Sequence, residues 1–167
     1  ATGAVVGLVA ITPAAGFVSP LAAIAIGVLA APCSYFALQY RSKTRVDDTL
    51  DVFACHGVAG ITGALLTGVF ASKAVNPNGA DGLLAGNPKL VAIQLLAVVA
   101  TVAFAAVGSF AILTGLRAVM SMRIDVDAEM SGIDISEHGE AAYHGSDLSD
   151  LTGRSTMLGD SVMLPLL

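Results

Sequence analysis

Leu90-Val91-Ala92-Ile93-Gln94-Leu95-Leu96-Ala97-Val98-Val99-Ala100-Thr101-Val102-Ala103-Phe104-Ala105-Ala106-Val107-Gly108-Ser109-Phe110-Ala111-Ile112-Leu113-Thr114-Gly115-Leu116 runs for 27 residues without an Asp, Glu, Lys or Arg. As an α-helix it would be about 40 Å long. That exceeds a bilayer hydrocarbon core of about 30 Å, so such a helix tilts or projects from the membrane. Two further stretches meet the same criterion, Leu21–Gln39 and Val52–Ser72, and neither holds a charged residue. One buried core helix of this kind is ordinary in a soluble domain. Three in a chain of 167 residues point to membrane spans.

The rest of the composition agrees. Only 13% of residues are charged and mean hydropathy is +0.79, where a soluble domain carries about 25% charge. Residues 1 to 40 contain no charge, whereas nine of the thirteen acidic residues follow Arg123. The net charge of −5 therefore belongs mainly to the tail. Nothing basic or rich in aromatics suggests a nucleic-acid groove. Cys33 and Cys55 both fall in apolar stretches, where isolated cysteines act as small hydrophobes, so neither a disulfide nor a metal site is expected. The chain begins with Ala1 inside an apolar segment, with no basic n-region or cleavage pattern. This is the expectation for a piece of a larger protein, not for a signal peptide.

Breakers divide the chain. Thr12-Pro13 and Ser19-Pro20 bracket a Gly-containing turn, after which Pro20 is well placed in a first helical turn. Asp47 or Asp48 is a plausible N-cap for the next helix. Asn76-Pro77-Asn78-Gly79, Asp81-Gly82 and Gly86-Asn87-Pro88 mark residues 73 to 88 as a loop. The expected organisation is all-α and polytopic. Helices occupy about 1–12 in part, 20–40, 48–72 and 89–122, and a cytoplasmic tail covers 123–167. Arg41, Lys43 and Arg45 in one loop, with Arg117 and Arg123 beyond the last helix, give one side five positive charges. Lys73 and Lys89 give the other side two. The positive-inside rule puts the richer side in the cytoplasm. Small residues recur at helical spacing: Gly3 and Gly7, then Gly57, Gly60, Gly63, Ala64 and Gly68. They let helices approach closely in lipid.

His56 is the informative residue. With a helix starting near 48, it lies about 13 Å in, close to mid-membrane. Ionisable groups at that depth are costly and mark pathways by default. The bland alternative is a packed imidazole satisfied by a neighbouring carbonyl. Val52, His56 and Gly60 share a face at i, i+4 steps, and Gly60 would leave room beside the imidazole. Cys55 points to a different face. A haem-binding subunit would want a second histidine in a span, but His138 and His144 lie in the tail. Glu137, His138, Glu140 and His144 lack a recognised zinc spacing. No cofactor and no metal are expected.

Three segments carry a resemblance. Gly7-Leu8-Val9-Ala10-Ile11-Thr12-Pro13-Ala14-Ala15-Gly16-Phe17-Val18 is similar to a segment around the eighth span of ammonium transporters. Val46-Asp47-Asp48-Thr49-Leu50-Asp51-Val52-Phe53-Ala54-Cys55-His56-Gly57-Val58-Ala59-Gly60 resembles the start of the tenth. Gly132-Ile133-Asp134-Ile135-Ser136-Glu137-His138-Gly139-Glu140-Ala141-Ala142-Tyr143 resembles the C-terminal signature. They occur in family order and spacing, so the chain resembles the Amt/Mep/Rh ammonium transporter family over about residues 3 to 143. Ala54 and Ala59 depart mildly from it, and Ser136 stands where some members have threonine.

The resemblance implies an eleven-span fold with inverted repeats, of which this chain would supply about spans 8–11. It implies a homotrimer in the plasma membrane, with a pore in each protomer and a cytoplasmic C-terminus. His56 would be the second of two pore histidines. The first, the paired phenylalanines and the outer ammonium-recruiting cage would lie in the missing part, so the chain alone should conduct nothing. The tail, with Gly132, Asp134, Ser136, His138 and Gly139, would regulate the pore and offer a face to a PII-type signalling protein. The threonine matching Ser136 is a phosphorylation site that shuts the pore in plant relatives, which suggests a switch. An ammonium sensor signalling through its tail is the alternative, although no kinase or cyclase domain follows the matched region.

Overall fold

The computed structural model describes residues 2–44 and 46–140. Arg45, His144 and the expected extension over 141–167 lie outside the described residues. The described residues are helical and contain no strand. Helix α1 spans Thr2–Ile11 and continues into a 3₁₀ turn, Thr12–Ala14. Pro13, which has no N–H to extend the ladder, marks the change. The Thr12 hydroxyl donates to the Leu8 carbonyl at 2.7 Å. Helix α2, Pro20–Arg41, opens with Pro20 in its first turn, and the Ser19 hydroxyl accepts from the Ala22 amide at 3.3 Å. It runs on through Pro32, which has no N–H for the Val28 carbonyl. Interior prolines of this kind are tolerated in membrane helices.

The next helix departs from expectation. It begins at Val52 rather than near 48, because Asp51 adopts a left-handed conformation with φ of 55° that α-helix cannot accommodate. The Asp48 carboxylate then accepts from the Val52 and Phe53 amides at 2.8 and 2.9 Å. Its first part, Phe53–Val58, is a π-turn, and α3 continues as Ala59–Phe70. Helix α4 spans Lys89–Arg117, ending before the expected 122. At about 44 Å it still exceeds a hydrocarbon core. Pro20–Arg41, Phe53–Phe70 and Lys89–Arg117 are each long and apolar enough to cross a membrane. Two short helices follow, α5 at Val126–Ser131 and α6 at Ile133–His138.

The chain forms two compact units, one through Phe110 and one from Ala111. In the first unit the core is made of small and β-branched residues. Val6, Ala10, Ala14 and Val18 meet Ile26 and Ala30 of α2 and Cys55 and Ala59 of the following helix. The closest approach uses Gly63, where a Cβ would lie 2.0 Å from the Ala10 carbonyl oxygen. Gly3 and Gly7 have nothing within 4 Å of a built Cβ, so no close approach among the described residues uses their spacing.

One end of this bundle is tied by the loops. The Ser72 amide donates to the Phe17 carbonyl at 3.0 Å, and Gly82 donates to Ala71 at 2.8 Å. Asp81 holds the loop from both sides: its carboxylate accepts from the Lys73 amide at 2.8 Å and its carbonyl from the Asn87 side chain at 2.9 Å. The 12–19 and 72–88 segments therefore share one end. The turn between α2 and the π-turn lies at the other.

Candidate functional site

The π-turn is the local structure on which His56 sits. A π-turn widens the helix by one residue per turn, and such turns occur often at functional sites. Phe53 and Gly57 fit together within it: the ring lies over the glycine, 3.3 Å from where a Cβ would be. The buried side of this segment is Ala54, Cys55 and Ala59, with Cys55 and Ala59 in the core. His56 is exposed and faces away from that core, as the different faces of adjacent residues require.

What it faces is a groove of about 310 Å³ between α3 and α4. The α3 side contributes His56, Gly57, Gly60, Ile61 and Ala64, and the α4 side Gln94, Ala97, Val98, Thr101 and Val102. Near the other end of α3, Gly68 contacts Val91. Since Gly68 pairs with Val91 while His56 shares its groove with Thr101 and Val102, α3 and α4 run antiparallel. The groove is open to one side, with mostly apolar walls and few hydrogen-bonding groups. Those groups are the His56 imidazole, the Gln94 amide and the Thr101 hydroxyl.

The structure brings His56 and Gly60 together in this groove and leaves Val52 out of the lining. The Val52 backbone amide donates to Asp48. His56 lies about one turn from the start of its helix, not near its middle, because the helix begins at Val52. The groove, and not depth along the helix, is what distinguishes His56. Gln94 and Thr101 were not singled out from sequence. They read there as two uncharged polar residues in an apolar run, and only the antiparallel pairing of α3 and α4 sets them opposite a histidine.

Around the helix start, Arg41 forms an ion pair with Asp51. The two amide hydrogen bonds, from Phe53 first, hold the Asp48 carboxyl below its ordinary range, and the Arg41 charge adds to the effect. Among the described residues no three His, Cys, Asp or Glu side chains gather as a metal ion would need.

In the second unit, Ser136 lies within α6 and its hydroxyl reaches the Gly132 carbonyl at 2.9 Å and the Ala128 carbonyl at 3.3 Å. Gly132 and Gly139 bracket the helix at φ of 99° and 68°, values that favour glycine. Gly139 closes it with its own amide donating to the Ile135 carbonyl at 3.1 Å, the hydrogen bond of an αL cap. The five tail residues singled out from sequence thus lie in one short helix and the two glycines that flank it.

Comparison with known proteins decides the family. Residues 1–143 match the model of the Ammonium Transporter Family. The chain belongs to that family. An ammonium transporter of Aquifex aeolicus is 49% identical over 144 residues, covering 86% of this chain and 33% of the relative. One from Bacillus subtilis is 42% identical over 146 residues, covering 87% and 36%. Among solved structures, Mep2 of Saccharomyces cerevisiae superposes with a TM-score of 0.70 at 34% identity, covering 75% of this chain and 30% of that one. Mep2 of Candida albicans gives 0.68 at 32% identity, covering 75% and 29%. The chain spans about one third of the length of the curated transporters it matches. These relatives are transporters rather than enzymes, and this chain shares their helical fold.

Proposed function

We propose that this chain forms part of a transmembrane path for ammonium or ammonia, with His56 lining the path. The single observation that carries this reading is the placement of His56: an imidazole presented from a π-turn into an apolar groove, in a chain of the Ammonium Transporter Family. An ammonium ion entering such walls meets an idealised Born cost of order 20 kcal/mol. Losing a proton removes that cost, and the neutral molecule still needs hydrogen-bond partners along the way. Imidazole supplies one donor and one acceptor and can relay a proton. Gln94 and Thr101 add further partners on the opposite wall.

The chain takes the place of about the last four spans, in keeping with its one-third share of its relatives' length. Its full-length parent works as a homotrimer in the plasma membrane, with the C-terminus in the cytoplasm. There the α6 turn, with Gly132, Asp134, Ser136, His138 and Gly139, couples the tail to the pore and meets a PII-type partner. The sensor alternative gains nothing from the described residues.

The test is selectivity. In the full-length parent, His56→Glu places a carboxylate in the groove that partly offsets cation desolvation. The variant should still carry ammonium but admit potassium. Unchanged exclusion of potassium together with unchanged ammonium uptake would remove His56 from the path.

A further inference from the structure

The residue that starts the π-turn is held by charge from a different helix. Arg41 ends α2, ten positions before Asp51. Asp51 is the non-glycine residue with positive φ among those described, and its carbonyl accepts from the Cys55 amide at 2.9 Å. It is therefore both the last residue of the turn and the first acceptor of the helix that carries His56. One position on, Val52 and Phe53 give their amides to Asp48. Arg41 thus faces two carboxylates that together define where the π-turn begins.

We propose that the Arg41–Asp51 ion pair is a positioning device for His56: it holds the left-handed turn at Asp51 from which the π-turn starts, and so aims the imidazole into the groove. The role in transport rests on the reading of His56 as part of the path. The positioning itself does not.

Magnitudes favour geometry over stability as the purpose. The paired side chains are 28% and 31% exposed, and partly exposed pairs contribute little to folding. A left-handed aspartate, in contrast, persists only where its surroundings hold it. A shift of the π-turn start by one residue would rotate every side chain after it by about 100°, which turns His56 out of the groove and Cys55 out of the core. The contact joins one guanidinium nitrogen to one carboxylate oxygen. A lysine can therefore replace the arginine, as it could not in a two-pronged pair.

The experiment uses the full-length parent carrying Arg41→Gln, Asp51→Asn or Arg41→Lys. Asparagine adopts left-handed backbone as readily as aspartate, so Asp51→Asn removes the charge that holds the turn without adding steric strain to it. Three quantities are read: trimer assembly, ammonium uptake, and the imidazole ¹⁵N shifts of His56, assigned by loss of the signal in His56→Ala. The expected result is intact trimers and displaced His56 resonances in Arg41→Gln and Asp51→Asn. Their uptake should fall between about tenfold and a hundredfold, the range for a misplaced group in a working site, and Arg41→Lys should restore both readouts. Unmoved His56 resonances in both charge-removing variants overturn the proposal, whatever happens to uptake. So does an Arg41→Lys variant as displaced as Arg41→Gln. Moved resonances with unchanged uptake, alongside unchanged uptake in His56→Ala, sustain the positioning and overturn the pathway reading instead. If Asp51→Asn does not assemble, the comparison of Arg41→Gln with Arg41→Lys decides alone.

Discussion

Gly68 lies against the backbone of Val91: a Cβ there would come 2.9 Å from the Val91 Cα and 3.2 Å from its nitrogen. This contact joins α3 to α4 at the end of the groove remote from His56. The neighbour is backbone and cannot rotate away, so Gly68→Ala should force the helices apart. Over-packing of this kind typically costs about 1–3 kcal/mol. Gly63→Ala should cost at least as much, because its Cβ would meet the Ala10 carbonyl at 2.0 Å. Gly60→Ala is the control, with Val9 at an ordinary 3.9 Å. Thermal unfolding of the full-length parent in detergent should rank Gly60→Ala nearest wild type. Equal midpoints for all three would contradict the packing described.

The Asp48 cap makes the start of the π-turn sensitive to acid. Its carboxyl is held below the ordinary value of 3.8 by the Phe53 and Val52 amides and by Arg41. A lowered carboxylate pKa means that the stabilisation is fully present above about pH 4 and is lost as pH falls through the folded value. Hydrogen-exchange protection of the Val52 and Phe53 amides, corrected for intrinsic rates, should therefore be high at pH 6 and decline below pH 4. Asp48→Ala should show low protection at both. Pronounced acid loss in Asp48→Ala would assign the effect to another group.

Ser136 offers a test of the tail. Its hydroxyl is tied to carbonyls at Gly132 and Ala128, and a phosphate would replace that donor with about −1.5 to −2 charges beside Asp134 and Glu137. Ser136→Asp should reduce transport by the full-length trimer relative to Ser136→Ala. Equal transport by the two variants would show that charge at this turn does not gate the pore.

Sidedness is tested at the two ends of the first unit. The Phe17–Ser72 hydrogen bond puts the 12–19 and 72–88 segments at one end. Cysteines placed at Ser42 and at Asn78 in a cysteine-free parent should therefore label from opposite faces. Labelling of both from outside would undo the span assignment.

The spans were legible because lipid demands long uncharged helices, and composition reports that directly. Pro20 as a first-turn residue and the breakers around Pro13 were legible for the same local reason. The start of the His56 helix was not. Asp47 and Asp48 both look like caps, and the difference of four residues depends on Asp51 taking positive φ while paired with Arg41, a contact with another helix. The π-turn was hidden too: Ala54, Cys55, His56 and Gly57 fit an ordinary helix equally well by residue type. Of the site, His56 and Gly60 stood out by chemistry and spacing. Gln94 and Thr101 did not, because their meaning comes from the antiparallel partner and not from their own neighbours. Val52 shared the face by periodicity, and its backbone amide donates to Asp48 at the helix start.

If ammonium or ammonia passes His56, removal of the imidazole must disturb its passage. Ammonium uptake by the full-length parent carrying His56→Ala shows this, with trimer assembly checked on the same preparation. Removing a positioned proton-transfer group commonly costs about a hundredfold or more. Intact trimers are expected, with uptake reduced to that extent or with discrimination against potassium lost. Intact trimers that take up ammonium at the wild-type rate and still exclude potassium would contradict passage past His56.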